Sequence, residues 1–393
     1  MPWDSPVFHS RLMQLKKKER QQINSLIERF RGEGAVPACP HFGHCGGCLF
    51  QDMEYDGQLM MKKQMVNDTL QGIAEVDSVL PSAPYRYRGR MDMVTAFGCI
   101  GLRRRGSFRS VVDVAGCSIM QEKSDRLYRC VRPLLEAVEG YDYLRHTGYL
   151  RYVVLRETRF TGQVMLNFVV AERENRLSAV VDRVIGVADS VSILHHGGLA
   201  DLSYGDIMET VKGGYIEEDF NGIRYRITPN SFFQSNADIA VRMYEKIRGH
   251  VRGSVLDLCA GVGSISLFVA GAADRVTGVE VNPEAVETAR VNRDINGIRN
   301  VEFVCADAAA HLTTAGDHET IVMDPPRAGM QRGVMETIDR MGAGTIVYMS
   351  CNPKTFRDDV AVLRNYTVES VEAFDMFPQT PHVELLAVLK PRR

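Results

Sequence analysis

The sequence predicts an α/β protein in two main parts: a β-rich region followed by a Rossmann-like sheet. From about residue 226, short apolar runs alternate with helical patterns, which is typical of a doubly wound parallel sheet. The strand-like runs of this half are residues 255–258, 276–280, 301–304, 320–323, 345–349 and 385–389. Before residue 226, the runs at 152–155, 164–170 and 222–227 predict strands, interrupted by one helical segment near 174–185.

Composition and charge are those of an ordinary folded protein. The 393 residues, 45% hydrophobic and 24% charged, are enough for two or three domains. The net charge is −2, so any nucleic-acid binding must come from a local basic patch. No apolar run reaches the ~18 residues of a membrane span, and the first residues lack a signal-peptide pattern. We therefore expect no membrane association and a cytoplasmic, reducing location, where the nine cysteines serve metal binding or catalysis.

The first 38 residues predict one amphipathic helix that ends near Gly32 and Gly34. Its apolar positions recur at near-helical spacing: Leu12, Leu15, Ile23, Leu26, Ile27 and Phe30. Three lysines at 16–18 lie on the intervening surface. We interpret this segment as a solvated packing helix rather than a dedicated RNA-binding arm.

Three cysteines with close spacing follow this helix and predict a metal centre. Cys39, Cys45 and Cys48 are separated by five and two residues, and the glycines between them allow a tight backbone path. Such thiolates can hold an iron–sulfur cluster or, with a fourth ligand, zinc. The downstream candidates for the fourth thiolate are Cys99, Cys117 and Cys130, while His41 and His44 are interpreted as exposed loop residues.

Residues 85–109 form the basic stretch of the chain. Seven arginines face a single acid, Asp92, and aromatic residues are interleaved with them. Arginine forks for phosphate and aromatic faces for unstacked bases are what a single-stranded RNA surface needs. The candidate RNA contacts are Arg86, Arg88, Arg90, Arg103, Arg104 and Arg105. A solvated sheet face is the alternative interpretation of the same charges.

The first loop of the C-terminal half indicates a nucleotide-like cofactor. Gly261 and Gly263 lie between a strand and a helix, where the backbone can approach a ligand closely. Glu280 ends the next strand, about 20 residues on, where an acid reaches a ribose diol. Ser266 stands in place of the third glycine of the dinucleotide fingerprint. Together with Asp307 and Asp324 at later strand ends, the loop favours S-adenosylmethionine over NAD.

Cys351 is the candidate nucleophile. It follows the run 345–349, and the Asn352-Pro353 pair after it predicts a turn that leaves the thiol at a strand tip. On its own, such a cysteine is more often a small apolar filler. The Asp324-Pro-Pro-Arg327 segment has no aromatic residue after its prolines, which argues against amino-group methylation and leaves Cys351 as the activating group.

Several segments resemble the RNA uracil-5-methyltransferase family, in its iron–sulfur branch, over roughly residues 39–393. They are the cysteine segment 39–48, Tyr-Arg-Tyr-Arg-Gly-Arg at 85–90, residues 111–119, Phe232-Phe-Gln-Ser-Asn236, residues 256–263, Asp-Pro-Pro-Arg, Ser-Cys-Asn-Pro, and Met376-Phe-Pro-Gln-Thr-Pro-His-Val-Glu384. The chain departs from the family at Cys259, where an aromatic residue is frequent. It also has only 38 residues before the cysteines, where many members have a small β-barrel.

The resemblance implies an enzyme that transfers a methyl group from S-adenosylmethionine to carbon 5 of a uridine. It implies Cys351 as nucleophile and Glu384 as base. It implies that a 4Fe-4S cluster is held by Cys39, Cys45, Cys48 and Cys117. It further implies cofactor contacts at Gln234, Glu280 and Asp324, with Cys259, Ser264 and Asp307 lining the pocket.

From these assignments we expect an RNA partner and a monomeric enzyme. We favour 23S rRNA as substrate, with tRNA as the alternative and a non-catalytic RNA-binding protein as the more distant one. The expected division is an N-terminal helical extension at 1–38, an iron–sulfur and β-rich RNA-binding domain at 39–225, and a methyltransferase domain at 226–393.

Overall fold

A computed structural model describes residues 17–392. Its α-helices are α1 Lys17–Phe30, α2 Tyr55–Thr69, α3 Glu122–Val131, α4 Ser178–Val184, α5 Ala237–His250, α6 Ser264–Val269, α7 Pro283–Ile295, α8 Ala308–Leu312, α9 Arg332–Met341 and α10 Pro353–Val360. Short 3-10 turns at Arg132–Leu135 and Ala270–Ala272 extend α3 and α6. The predicted N-terminal helix corresponds to α1 from residue 17 onward, and Leu12 and Leu15 lie outside the described residues. None of the described helices is long and apolar enough to cross a membrane.

The strands group into two large sheets and one hairpin. The first ten are β1 Val79–Leu80, β2 Arg90–Ala96, β3 Cys99–Arg104, β4 Ser107–Asp113, β5 Leu150–Glu157, β6 Val164–Val170, β7 Ser190–His195, β8 Asp206–Lys212, β9 Ile216–Phe220 and β10 Ile223–Ile227. The remaining seven are β11 Ser254–Leu258, β12 Arg275–Glu280, β13 Val301–Cys305, β14 Thr320–Met323, β15 Thr345–Ser350, β16 Tyr366–Phe374 and β17 Glu384–Pro391.

The C-terminal sheet has eight strands in the order β1-β16-β17-β15-β14-β11-β12-β13. All six strands that the sequence predicted for this half are present, which confirms the Rossmann-like fold class. One difference matters for the site: β17 runs antiparallel to both of its neighbours, β15 and β16. The reason is that β17 follows β16 through a short connection, which returns the chain along its neighbour instead of crossing over the sheet.

Apolar residues on opposite faces of this sheet belong to separate cores. In β14, Val322 packs with α5, α6 and α7 on one face, while Ile321 and Met323 pack with α9 and α10 on the other. Side chains alternate between the faces of a strand, so a strand covered by helices on both sides reads as a continuous apolar run. This is why β14 and β15 were recognisable in the sequence.

The β-rich part contains a seven-stranded sheet in the order β4-β3-β2-β5-β6-β7-β8. Its neighbours are antiparallel except for β6 and β7, which are parallel and joined through α4. Helices α3 and α4 cover one face, where Tyr128 and Val181 are buried. The hairpin of β9 and β10 then leads to α5 and the C-terminal sheet.

Two elements from the N-terminal third pack onto the C-terminal sheet. Strand β1 pairs with β16 in parallel, and Val66 and Leu70 at the end of α2 are buried in the same core as Tyr348. Two residues are too few for a recognisable strand pattern, so β1 could not be predicted from the sequence. The domain boundaries at residues 38 and 225 stay a prediction.

Gly263 allows α6, the helix that follows the cofactor loop, to pack closely on the sheet. Its φ is +79°, and a Cβ placed there would lie 2.5 Å from the Phe303 ring and 3.2 Å from Ala289. The sequence indicated that this glycine lets the backbone approach a ligand. In the structure, it lets helix α6 approach β13 and α7.

We predict that Gly263→Ala destabilises the protein by roughly 1–3 kcal/mol, through the left-handed backbone and the contact with Phe303. Gly333, in helix α9, has open space around its Cα and is the matched control. Gly333→Ala should leave the free energy of unfolding unchanged or raise it by up to ~1 kcal/mol. Urea denaturation of both variants tests this, and equal effects would contradict the packing role of Gly263.

Candidate active site

A cavity of about 250 Å³ lies where strands β11, β12, β14 and β15 end. Open α/β sheets bind their ligands at this edge. All but one of the residues predicted for the cofactor and for catalysis line the cavity: Gln234, Cys259, Ser264, Glu280, Asp324, Cys351 and Glu384. The exception is Asp307. Its carboxylate accepts hydrogen bonds from the N–H groups of Ala309 and Ala310 and thereby caps helix α8 beside the cavity.

The end of β12 is tied to the glycine loop by Glu280. Its two carboxylate oxygens accept hydrogen bonds from the N–H groups of Gly261 at 3.0 Å and Asn282 at 2.8 Å. Each oxygen retains a lone pair for a further donor, such as a ribose hydroxyl. The loop itself turns at Cys259, whose φ is +66°.

Two carboxyl groups in this region are held in a poorly solvated environment. Burial raises the pKa of Asp257 to about 7, and burial together with the nearby Asp257 raises the pKa of Asp324 to about 7. Asp257 accepts a hydrogen bond from the hydroxyl of Ser266. Ser266 therefore has a structural function of its own at the position where the dinucleotide fingerprint has its third glycine.

The pairing of β15 with β17 brings the predicted nucleophile and base together. Ser350 lies opposite Leu385 in this antiparallel pair, so the next position outward puts Cys351 opposite Glu384. Cys351 is partly buried, and Glu384 is 5% exposed. Burial, followed by the charge of Glu384, raises the pKa of the Cys351 thiol, whereas Arg327 opposes this shift. Burial and Asp324 likewise raise the pKa of Glu384 well above its usual value.

The turn that presents Cys351 is fixed by Asn352. The Asn352 side chain accepts the N–H of Lys354 at 3.2 Å and donates to the carbonyl of Arg327 at 3.1 Å. Pro353 then occupies the first turn of α10, where its missing N–H is not needed. The sequence predicted a turn here, but Asn-Pro is also the pattern of a helix start, and this signal would have identified Asn352 as a cap.

Two aromatic residues in the cavity lining, Phe232 and Phe377, have no role predicted from the sequence. Both belong to segments quoted for the family resemblance. An aromatic side chain within a polar motif at a strand end is a signal that could have singled them out.

Four cysteines converge in the β-rich part of the molecule. Cys39, Cys45, Cys48 and Cys117 line one small cavity, to which none of the other five cysteines contributes. Burial and the neighbouring thiols raise the pKa of Cys45 to about 12 and also raise the pKa of Cys48 and Cys117. His41 lines the cavity too, but its Nε2 accepts the N–H of Ala115 at 3.2 Å.

Within residues 17–392, no group of three or more His, Cys, Asp or Glu side chains is arranged to hold a single metal ion. The iron–sulfur centre is therefore not shown, and it stays a prediction from the sequence.

The arginines of the basic stretch divide between the interior and the surface. Arg88, Arg90 and Arg103 are buried. Arg90 pairs with Asp92 at 2.9 Å and Arg103 with Asp201 at 2.9 Å, so these charges are used inside the protein. The exposed members are Arg86, Arg104, Arg105 and Arg109. Sequence spacing could not separate the two groups, because the partner Asp201 lies about 100 residues away.

Comparisons with known proteins show which family the chain is related to. Residues 312–392 match the sequence profile described as tRNA (Uracil-5-)-methyltransferase, and residues 223–344 match the one described as Methyltransferase small domain. The chain is 34% identical to a tRNA (uracil(54)-C(5))-methyltransferase of Pyrococcus furiosus, over 99% of this chain and 94% of that protein. A second such enzyme, from Pyrococcus abyssi, is 36% identical over 90% of this chain and 85% of that protein.

A solved structure is similar over most of the chain. It is the crystal structure of the Pyrococcus abyssi tRNA (uracil-54, C5)-methyltransferase in complex with S-adenosyl-L-homocysteine. The TM-score is 0.77 and the identity 34%, and the match covers 86% of this chain and 84% of that one.

We predict that Asp324→Asn stabilises the cofactor-free protein at pH 8. The folded-state pKa of about 7 lies above the unfolded value near 4, so stability is lost as the pH rises between these values. The asparagine variant escapes this loss and should be more stable by roughly 1–3 kcal/mol at pH 8, with a smaller gain at pH 5. Urea denaturation at both pH values measures the difference. A larger gain at pH 5 would contradict the shifted pKa.

Proposed function

This chain belongs to the RNA uracil-5-methyltransferase family, and we propose that its substrate is a uridine of transfer RNA. It is an S-adenosylmethionine-dependent enzyme that methylates carbon 5 of uracil in RNA. The observation that supports our assignment of the chemistry best is the antiparallel register that sets Cys351 against Glu384 at the cofactor cavity.

The choice of RNA changes from the expectation drawn from the sequence. The sequence favoured 23S rRNA, with tRNA as the alternative. The relatives named above are tRNA (uracil(54)-C(5))-methyltransferases and match almost the whole chain, which favours the tRNA alternative. The catalytic motifs could not distinguish the two substrates, because the chemistry at the uracil ring is the same.

The first step we propose is addition of the Cys351 thiolate to carbon 6 of uracil. Carbon 5 is too weakly nucleophilic to accept a methyl group unaided, and the addition converts the ring into an enolate with negative charge at carbon 5. The thiolate is disfavoured by burial and by Glu384, and favoured by the Arg327 guanidinium. The uridine must be unstacked to reach the thiol, because a stacked base does not expose carbon 6.

Methyl transfer and elimination complete the reaction. Carbon 5 attacks the methyl group of the sulfonium, and S-adenosylhomocysteine leaves as a neutral thioether. Glu384, as a carboxylate, then takes the proton from carbon 5, the electron pair re-forms the ring double bond, and Cys351 departs as a thiolate. Its raised pKa makes Glu384 a stronger base than an exposed carboxylate, at the cost of a smaller ionised fraction.

We propose that Cys39, Cys45, Cys48 and Cys117 hold a 4Fe-4S cluster. Their common cavity and the mutual repulsion expected of their thiolates support a cationic occupant that binds all four. A bound cluster would cross-link the segment 39–48 to the residues around Cys117 and leave the methyl transfer to other groups. Zinc is the alternative occupant.

The exposed arginines are the better candidates for RNA contact. Arg104 and Arg105 are exposed. Arg105 donates to the carbonyl of Cys48 at 2.6 Å, which joins the basic surface to residues 39–48, the cysteine loop. Arg88, Arg90 and Arg103 are more plausibly structural, because they are buried. A monomeric state stays a prediction.

We predict that Cys351→Ala abolishes methylation, while its affinity for S-adenosylhomocysteine stays within about twofold of wild type, because the cofactor contacts lie on other strands. Glu384→Gln should still transfer the methyl group to the RNA. It should fail to release the methylated RNA from Cys351, so an SDS-resistant protein–RNA adduct accumulates. Gel electrophoresis after reaction with labelled RNA shows both outcomes. Turnover by the alanine variant would remove the covalent mechanism, and a glutamine variant without adduct would remove Glu384 as base.

We predict that a tRNA transcript accepts a labelled methyl group from S-adenosylmethionine, whereas a 23S rRNA transcript does not. The matched control is the same tRNA with cytidine in place of uridine 54, the position named for the relatives. Nucleotide mapping of the product should locate 5-methyluridine at that position. Methylation confined to the rRNA transcript would contradict the proposed substrate.

We predict that protein purified without oxygen is brown and contains about four irons per chain, and that Cys117→Ser loses both. Cys130→Ser is the matched control, because Cys130 is exposed and lies outside the cavity. Absorption spectra and metal analysis give the result independently of enzyme activity. One zinc per chain without iron would contradict the cluster and identify the site as a zinc site.

A further inference from the structure

The nine-residue connection between β16 and β17, residues 375–383, is held by hydrogen bonds from distant parts of the chain. Four consecutive carbonyls in it accept hydrogen bonds from four separate segments. Asn236, at the start of α5, donates to Met376 at 3.0 Å. Lys62 in α2 donates to Phe377 at 3.1 Å, Tyr87 donates to Pro378 at 2.9 Å, and the backbone N–H of Leu49 donates to Gln379 at 2.7 Å.

The first residue of this connection is part of a buried ion pair. Lys62 and Asp375 contact each other, and both side chains are 0% exposed. The other carboxylate oxygen of Asp375 accepts the hydroxyl of Tyr55 at 2.8 Å. Such a pair pays a desolvation cost that similar apolar residues would avoid, so its stability contribution is a weak reason for its presence. Its directional contacts do fix the start of the connection relative to α2.

A pair of glutamines fixes the middle of the connection. The backbone N–H of Gln379 donates to Oε1 of Gln58 at 3.1 Å, and Nε2 of Gln58 donates to Oε1 of Gln379 at 3.0 Å. Gln379 has a φ of +68°, in the left-handed region that glycine prefers. The surrounding hydrogen bonds hold this unfavourable backbone conformation in place.

The other end of the connection leads into the active site. Phe377 lines the catalytic cavity, and the guanidinium of Arg88 lies 5.9 Å from the centre of its ring. Glu384 follows the connection directly and pairs with Phe374 across the hairpin. A shift of residues 375–383 would therefore move one wall of the cavity at Phe377, and we expect it to be transmitted to Glu384, the residue that follows.

We propose that Lys62, with Gln58 and Tyr87, is a positioning residue for Glu384 in the elimination step. This inference rests on the proposed function and adds the group that sets the geometry of the base. It also couples the base to the cysteine loop, because Leu49 follows Cys48 and contacts the same connection. Loosening the connection should slow proton removal from carbon 5 more than it weakens cofactor binding.

The test uses Lys62→Met and the milder Tyr87→Phe in the full-length protein, with a tRNA transcript as probe. Both variants should bind S-adenosylhomocysteine within about twofold of wild type. Both should show more SDS-resistant adduct with ordinary uridine and slower release of methylated RNA, by about fivefold for the lost Tyr87 hydrogen bond and more for Lys62. This resembles a partial Glu384→Gln phenotype, which a general loss of stability would not produce.

Tyr366→Phe is the matched control for Tyr87→Phe. Tyr366 also donates a buried hydroxyl to a carbonyl at 2.9 Å, that of Ala343, but it lies at the opposite end of β16. This variant should lose some thermal stability and keep the wild-type amount of adduct. Equal adduct levels in Tyr87→Phe and Tyr366→Phe would overturn the positioning role, even if Lys62→Met does not fold.

Wild-type protein that forms no adduct with 5-fluorouridine-containing tRNA would overturn the proposed function instead. Without an adduct there is no elimination step, so the positioning role then falls with the proposed function. When the wild type does form the adduct, unchanged amide hydrogen exchange over residues 375–384 in Tyr87→Phe overturns the positioning role alone.

Discussion

The antiparallel entry of β17 between β15 and β16 is the constraint on which the active site depends. In a parallel sheet, every strand ends at the ligand-binding edge, so the residues that follow each strand are the ones that reach the ligand. An antiparallel strand begins at that edge. Glu384 is the first residue of β17 and so comes to lie opposite Cys351, the residue after β15. The same reversal places Phe377, in the connection 375–383, in the cavity lining, and α2, the start of α5 and Leu49 donate hydrogen bonds to this connection.

Three buried carboxyl groups lie near this edge of the sheet, those of Asp257, Asp324 and Glu384. Burial raises the pKa of each of them; the charge of Asp257 adds to the shift of Asp324, and the charge of Asp324 adds to the shift of Glu384. Arg327 is the nearby cation that opposes the raised pKa of both Cys351 and Glu384. Buried ionisable groups with raised pKa values thus lie where the proposed reaction uses them.

The sequence predicted the strands of the C-terminal sheet well, because strands covered on both faces are continuous apolar runs. The strand-tip position singled out Cys351 as the candidate nucleophile, and the family resemblance implied Glu384 as the base. It could not predict how these two residues meet, because an apolar run such as 385–389 does not reveal the direction of the strand. The burial of Arg103 and the Lys62–Asp375 pair depend on partners about 100 and 300 residues away, which no local pattern indicates. The helix-capping role of Asp307 could have been inferred from its position just before α8, and its contact with the cofactor stays a prediction.

The most direct test of this account is to identify the amino acid that bonds to RNA. Two partly buried cysteines, Cys259 and Cys351, line the same cavity, and only the second lies opposite Glu384. Protein trapped on 5-fluorouridine-containing RNA can be digested and analysed by mass spectrometry. We predict that the modified nucleotide is attached to the peptide that contains Cys351. Attachment to Cys259, or to any other residue, would contradict it.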